Sequence, residues 1–177
     1  MRRDELTAIG VQLPVLPTIV LGALPGSPEW GGRLARLGLD VTASGADEDT
    51  PATVAAARAA APHLALKARM VDAAGLHDHA GVIVETAGDV PPGVYRLGAD
   101  DAAVEGVDGA SEEVEEVMDV ARRTLAAARE GVPSQLWVVA TPGLELLPED
   151  VVEAKLAALA EGARQARLYL AKEQFDI

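Results

Sequence analysis

The run Gly81-Val82-Ile83-Val84-Glu85-Thr86 places three β-branched residues in succession and then a carboxylate. With no polar alternation, such a run reads as a strand covered on both faces, the condition of strands in parallel sheets. Glu85 then falls at the C-terminal edge of the strand, where open α/β sheets and barrels gather their ligands. A carboxylate there needs a cation, a hydrogen-bond donor or a metal beside it. Arg69 and Arg96 stand on other predicted strands, and either guanidinium can pair with a carboxylate through two hydrogen bonds.

Working outward, five more apolar runs read as strands: Thr18–Ala23, Leu39–Ala43, Leu64–Val71, Val94–Gly98 and Leu136–Ala140. Alanine-rich helical patterns separate several of them, and that alternation is the signature of βα units around a parallel sheet. Ser27-Pro28-Glu29 and Thr50-Pro51 each offer a capping hydroxyl followed by proline, which predicts two short helices. Ser111–Glu130 reads as a helix with Val114, Val117, Met118, Ala121 and Leu125 on one face. A last helix is predicted from about Pro148 to Leu170, burying Val152, Leu156, Leu159 and Ala163 and turning Lys155, Arg164 and Arg167 to solvent. The acidic tract Asp100 to Asp108 reads as a solvated loop, and no linker or repeat divides residues 1–177, so a single domain is expected.

The chain carries 28 acidic and 15 basic residues in 177, a formal charge of −13. That excess repels phosphate backbones and anionic membranes, and two Trp, two Tyr and one Phe leave few platforms for stacked bases. Nucleic-acid and membrane-surface binding are therefore not expected. Cysteine is absent, which removes disulfides, thiolate metal ligands and a cysteine nucleophile. The apolar stretch Leu13 to Leu24 is broken by Pro14 and Pro17 and is shorter than the roughly 20 residues that span a bilayer. A cytoplasmic protein is expected.

His77-Asp78-His79 is the one close histidine pair, but no further ligands with metal-site spacing stand nearby, and two solvated loop histidines is the simpler reading. Gly22-Ala23-Leu24-Pro25-Gly26 lacks the lysine of a phosphate-binding loop. Glu112-Glu113 and Glu149-Asp150 read as charges complementing helix N-termini.

Four segments in order resemble one family. Leu16-Pro17-Thr18-Ile19-Val20-Leu21-Gly22-Ala23-Leu24-Pro25 is similar to the first barrel strand of the catalytic domain of cobalamin-independent methionine synthases, P-T-T-x-I-G-S-F-P. Val82-Ile83-Val84-Glu85-Thr86 resembles I-x-I-E-T, Pro92-Gly93-Val94-Tyr95 resembles P-G-V-Y, and Leu136-Trp137-Val138 with Gly143-Leu144 resembles L-W-V-N-P-D-C-G-L. The resemblance implies a (βα) barrel with its site at the strand C-termini, where Glu85, Arg69, Arg96 and Gly22 would line a substrate site. In the family, zinc is held by an H-x-C strand, the glutamate and the cysteine of D-C-G-L, and it activates the homocysteine thiol. Of those ligands this chain keeps Glu85. Pro142 stands in place of the last cysteine, and Leu66-Lys67-Ala68-Arg69-Met70, the counterpart of H-x-C, carries neither ligand. Gly98 replaces the histidine of D-I-H-S, and Ala23 the serine of I-G-S.

A closed eight-stranded barrel needs about 250 residues. The expectation is therefore a reduced or incomplete TIM-type barrel of about six parallel strands, with an open flavodoxin-like sheet as the alternative. Three functional readings stay open. The first is a degenerate methionine synthase-like protein without cofactor or zinc-dependent methyl transfer, binding a small amino acid, thiol or carboxylate. The second is a non-catalytic dimeric interaction protein. The third is a divergent S-methyltransferase of the same type that keeps zinc, with His77 or His79 joining Glu85. A homodimer is expected, burying the side from which βα units are missing.

Overall fold

The computed structural model describes residues 1–26, 29–70, 73–76, 78–98 and 100–175. In order these form α1 (Arg3–Ala8), β1 (Thr18–Val20), α2 (Trp30–Leu37), β2 (Val41–Ala43), α3 (Pro51–Ala60), β3 (Ala65–Arg69), β4 (Val82–Glu85), β5 (Val94–Leu97), β6 (Ala103–Val107), α4 (Val117–Glu130), β7 (Trp137–Ala140) and α5 (Glu149–Phe175). Short 3-10 turns at Ala73–Leu76, Pro133–Gln135 and Leu144–Leu146 join them. Among the described residues no helix is long and apolar enough to cross a membrane. The Ser27-Pro28 cap lies outside the described residues, whereas Thr50 caps α3 as a reciprocal box with Thr53 and with proline at the first turn.

All strand pairs are parallel, in two sheets of order β1-β7-β6 and β2-β3-β4-β5. Within each sheet β2 to β5 and β6 to β7 follow in chain order, the first strand pairs with the last, and β1 lies beside β2 without ladder bonds, while β5 and β6 are the edges of different sheets. The flavodoxin-like order, with the first strand between the second and third, is not formed, because β2 pairs directly with β3. Seven strands among the described residues replace the six expected. The additional one, β6, occupies the acidic tract that reads as a loop. It tolerates Glu105 because it is an edge strand, and its register with β7 shifts between Glu105 and Val107.

One core lies between the sheets. Ile19 of β1, Val41 of β2, Ile83 of β4, Tyr95 of β5, and Trp137 and Val139 of β7 bury together, with Met1, Leu6 of α1 and Val11 at one end. The opposite faces pack on helices: α2, α4 and α5 cover β1, β2, β6 and β7. Val54 and Ala57 of α3, with Ala73 and Leu76, cover β3, β4 and β5. Strand periodicity of two then fixes which residues share the interior. On β3 these are Ala65, Lys67 and Arg69; on β4, Ile83 and Glu85; on β5, Tyr95 and Leu97.

Four helical expectations are corrected. α4 starts at Val117 rather than Ser111, because Glu115 is diverted: one oxygen accepts the Asp108 N–H at 2.7 Å and the other the Lys155 ammonium at 2.9 Å. Lys155 also donates to the Glu113 carbonyl, so it is fully buried rather than solvent-facing. The buried stripe of α4 is Val120, Ala121, Thr124 and Ala128, while Val114 and Met118 stay exposed. Arg167 likewise turns inward, donating to the Val15 and Leu16 carbonyls and pairing with Asp40, which in turn holds Thr18 at the start of β1.

Candidate functional site

At the strand C-termini the backbone of Gly22, just past β1, meets the side chains of β3 and β4. The Gly22 N–H donates to the two Glu85 oxygens at 3.0 and 3.3 Å, and the Gly22 carbonyl accepts from Lys67 Nζ at 2.9 Å. Lys67 Nζ closes the ring by donating to Glu85 Oε2 at 2.9 Å. This turns both backbone polar groups of one residue toward the interior, which Gly22 achieves with a φ of +72°. A side chain there would also crowd Pro142, whose Cβ would lie 3.2 Å from an added Cβ. Three strands are thus tied beyond the end of β2 by an ion pair and two backbone groups.

Burial sets the electrostatics. Lys67, 2 % exposed, has its ammonium pulled below the usual lysine range by loss of water, which Glu85 and Asp49 only partly offset. Burial pushes Glu85 the other way, but the Lys67 charge and hydrogen bond, the Gly22 amide and the Arg69 guanidinium outweigh it and hold the carboxyl below its ordinary value. Glu85 is therefore a carboxylate at neutral pH.

Arg69 closes the outer side. Its Nε lies 3.9 Å from Glu85 Oε1, and its Nη1 donates to the Asp47 carboxylate and, at 3.3 Å, to the Asp47 carbonyl. Asp47 is held there by a stitched loop after β2. Buried Asp49 accepts from the Ser44 hydroxyl, from Thr53 Oγ1 at 2.8 Å and from the Arg69 N–H at 2.9 Å, and its own N–H donates to the Arg69 carbonyl at 2.6 Å. A cleft of about 470 Å³ opens above, lined by Asp47, Glu48, Arg69, Met70, Glu85, Thr86, Ala87 and Leu97. Met70, Ala87 and Leu97 are its apolar lining, and Arg69 is the cation among these residues.

Of the residues singled out from sequence, Glu85, Arg69 and Gly22 come together, and Arg96 does not join them. Arg96 follows Tyr95 on β5 and so faces the other way, exposed, beside Gly98, Asp100 and Asp101 in a separate cleft. Its carbonyl accepts from Arg2 at 2.6 Å, and the neighbouring Tyr95 hydroxyl accepts the Arg2 N–H and donates to Asp101. Burial and Asp101 push the Tyr95 phenol up to about 12. His79 lies before β4, at the opposite end of the strand from Glu85, and His77 lies outside the described residues.

Lys67 is the residue that sequence reasoning missed. The signal was present, since Lys67 and Arg69 are two apart on one strand and must share a face. Asp49 was missed because its role depends on the loop closing onto β3.

Among the described residues no group of three or more histidine, aspartate and glutamate side chains could hold a metal ion. Zinc does not fit the described residues: the Glu85 carboxylate is already paired with an ammonium 2.9 Å away, Asp47 is taken by Arg69, and among the described residues no imidazole joins them. The arrangement instead offers a guanidinium at the mouth of a small cleft, a donor set suited to a carboxylate. No protein-family model matches this sequence, and neither does any curated protein.

Proposed function

We propose that this chain is a degenerate relative of the cobalamin-independent methionine synthases, an incomplete (βα) barrel that binds a small carboxylate at its strand C-termini without zinc-dependent methyl transfer. The observation that carries the reading is a convergence. The strand Leu66–Met70, Glu85 and the turn at Pro142 are the places to which the resemblance assigns zinc ligands. In the fold they meet around Gly22, through Lys67, the Glu85 carboxylate and the close approach of Pro142. Supporting the barrel, the strand order β6-β7-β1 and β2-β3-β4-β5 winds in one sense, and the inward faces of both sheets share one core. Lys67 supplies beside Glu85 the positive charge that a metal would otherwise supply. Arg69 is left to receive the ligand's carboxylate, and Met70, Ala87 and Leu97 receive its apolar part.

The test is a melting-temperature series with acetate, propionate, succinate, glycine and methionine at constant ionic strength. A ligand that binds the folded state raises stability by mass action, by about 2.7 kcal/mol at a hundredfold excess over its Kd. A saturable rise for at least one carboxylate, lost in Arg69→Gln, is expected. No rise with any of them sinks the reading.

A homodimer is the second reading, and the exposed apolar side chains favour a surface other than the side from which βα units are missing. Among the described residues the exposed large apolar side chains avoid β5 and β6, whereas Met118 and Tyr169, each 41 % exposed, flank a groove between α4 and α5. The groove's surroundings carry both signs, Arg122 with Asp119 and Arg129 with Glu173, so two copies of this surface can complement each other about a two-fold axis. Sedimentation at micromolar concentration should give a dimer that Met118→Asp dissociates; a monomer throughout would exclude it.

A further inference from the structure

The geometry points to Asp47 as a tethered competitor of the ligand: its carboxylate occupies the Arg69 guanidinium in the free protein and must swing away when a small carboxylate enters the cleft. The inference rests on the binding reading above and adds a regulatory contact to the same site.

The loop after β2 is fixed at both ends and free at its tip. Ser44 and Asp49 are buried, 1 % and 5 % exposed, and hydrogen-bond each other. The Ala46 N–H donates to Ser44 Oγ at 3.0 Å, the Gly45 carbonyl accepts from Leu24 at 2.9 Å, and Asp49 is bound to both backbone groups of Arg69. Between these anchors Asp47 reaches Arg69, yet its side chain is 86 % exposed. Rotation about its own side-chain torsions frees the guanidinium from the carboxylate without moving the loop, leaving only the 3.3 Å bond from Nη1 to the Asp47 carbonyl, and the released carboxylate is already almost fully hydrated. The contact is therefore inexpensive to break, as exposed ion pairs are.

Charge bookkeeping gives the exchange its direction. Lys67 neutralises Glu85, so Asp47 is the charge that matches Arg69 at the mouth of the cleft. An incoming carboxylate that replaces Asp47 restores the pairing of Arg69 and gains the burial of its apolar part, at the cost of one added negative charge at the mouth. Because Asp47 is covalently attached, it competes at fixed effective concentration however dilute the protein, and it lowers the apparent affinity of every carboxylate that must displace it. Glu48 lines the same cleft and carries the same charge, but Asp47 is the residue seated on Arg69.

Propionate titrations of the wild type, Asp47→Asn and Glu48→Gln at constant ionic strength test this, with Arg69→Gln as the blank. Asp47→Asn should bind about two- to five-fold more tightly than the wild type, the factor an exposed ion pair supplies, with Glu48→Gln close to the wild type. Equal gains in the two variants would mean that lowering the negative charge is the whole effect, and would overturn the competitor role. Propionate binding that is the same in the wild type and Asp47→Asn would also overturn it, leaving the carboxylate reading intact. Absence of binding in all three proteins would overturn both.

Discussion

Glu85→Ala is expected to lower the stability of the fold by about 3–5 kcal/mol, because it leaves the Lys67 ammonium buried and unpaired. Lys67 is 2 % exposed and keeps only the Gly22 carbonyl as a partner once the carboxylate is gone. The converse change is milder. In Lys67→Met the remaining Glu85, 26 % exposed, can recruit water and keeps the Gly22 N–H, so the loss is that of one unsatisfied buried carbonyl, about 1–3 kcal/mol. Lys67→Met/Glu85→Leu together should recover much of the Glu85→Ala loss, since no charge is then buried. The Glu85→Ala defect also has a pH signature. Burial lowers the Lys67 pKa in the folded state, so as the pH rises toward the unfolded value of 10.5 the folded amine discharges while the unfolded one is still protonated. The unfolded state then binds more protons, stability rises with pH, and the defect shrinks. In the wild type the lowered Glu85 carboxyl contributes stability above the ordinary value of 4.5, and that contribution is lost as the pH falls through its folded value. Denaturant titrations of the four proteins between acid and mildly alkaline pH provide the check. A Glu85→Ala protein as stable as Lys67→Met at neutral pH would contradict the account.

Gly109→Ala should be comparably damaging for a different reason. Gly109 follows β6, and an added Cβ would lie 2.0 Å from the Thr141 carbonyl oxygen and 2.7 Å from that of Pro142. Both are backbone atoms after β7, so no side-chain rotation relieves the overlap, and the two loops must separate. The Gly109 N–H donates to Thr141 Oγ1 at 2.9 Å, a bond the separation would stretch. Overpacking typically costs about 1–3 kcal/mol, and a clash with rigid backbone belongs at or above the top of that range. Because Pro142 backs Gly22, the ring with Glu85 and Lys67 should loosen as well. Gly75→Ala is the control: an added Cβ would meet the Pro51 ring at an ordinary 3.5 Å, and its stability should be near that of the wild type. Thermal unfolding of the two variants compares them directly, and a Gly109→Ala protein as stable as Gly75→Ala would contradict the packing described.

Much of the fold is legible in the sequence because burial on both faces writes uninterrupted Val and Ile runs, as in Ile19-Val20, Val82-Ile83-Val84 and Val138-Val139. β6 escapes that reading because it is an edge strand. Asp100, Asp101, Glu105 and Asp108 stand on or beside it, and edges accept charges that central strands reject. The start of α4 escapes for a tertiary reason, since Glu115 serves Lys155 and the Asp108 amide, forty and seven residues away, instead of a first helical turn. In the site, Glu85 and Arg69 are visible from their positions at predicted strand ends. Arg96 misleads because the parity of its strand relative to Glu85 depends on register: Glu85 pairs with Leu97, which turns Arg96 to the other face. Lys67 shares Arg69's face by strand periodicity, yet its partnership with the backbone of Gly22 depends on β1 and β3 converging across β2, which no local pattern encodes.

The cleft above Glu85 is proposed to take a small carboxylate through Arg69. Nitrogen-15 NMR of the protein titrated with propionate tests it at the level of single groups. A saturable shift of the Arg69 side-chain Nε–H and of the Asp47 and Gly22 amides is expected, at ligand concentrations that leave Arg96 and the α4–α5 groove unchanged. Saturable shifts confined to Arg96, Arg122 or Arg129 with Arg69 unmoved, or no saturable shift at all, would contradict it.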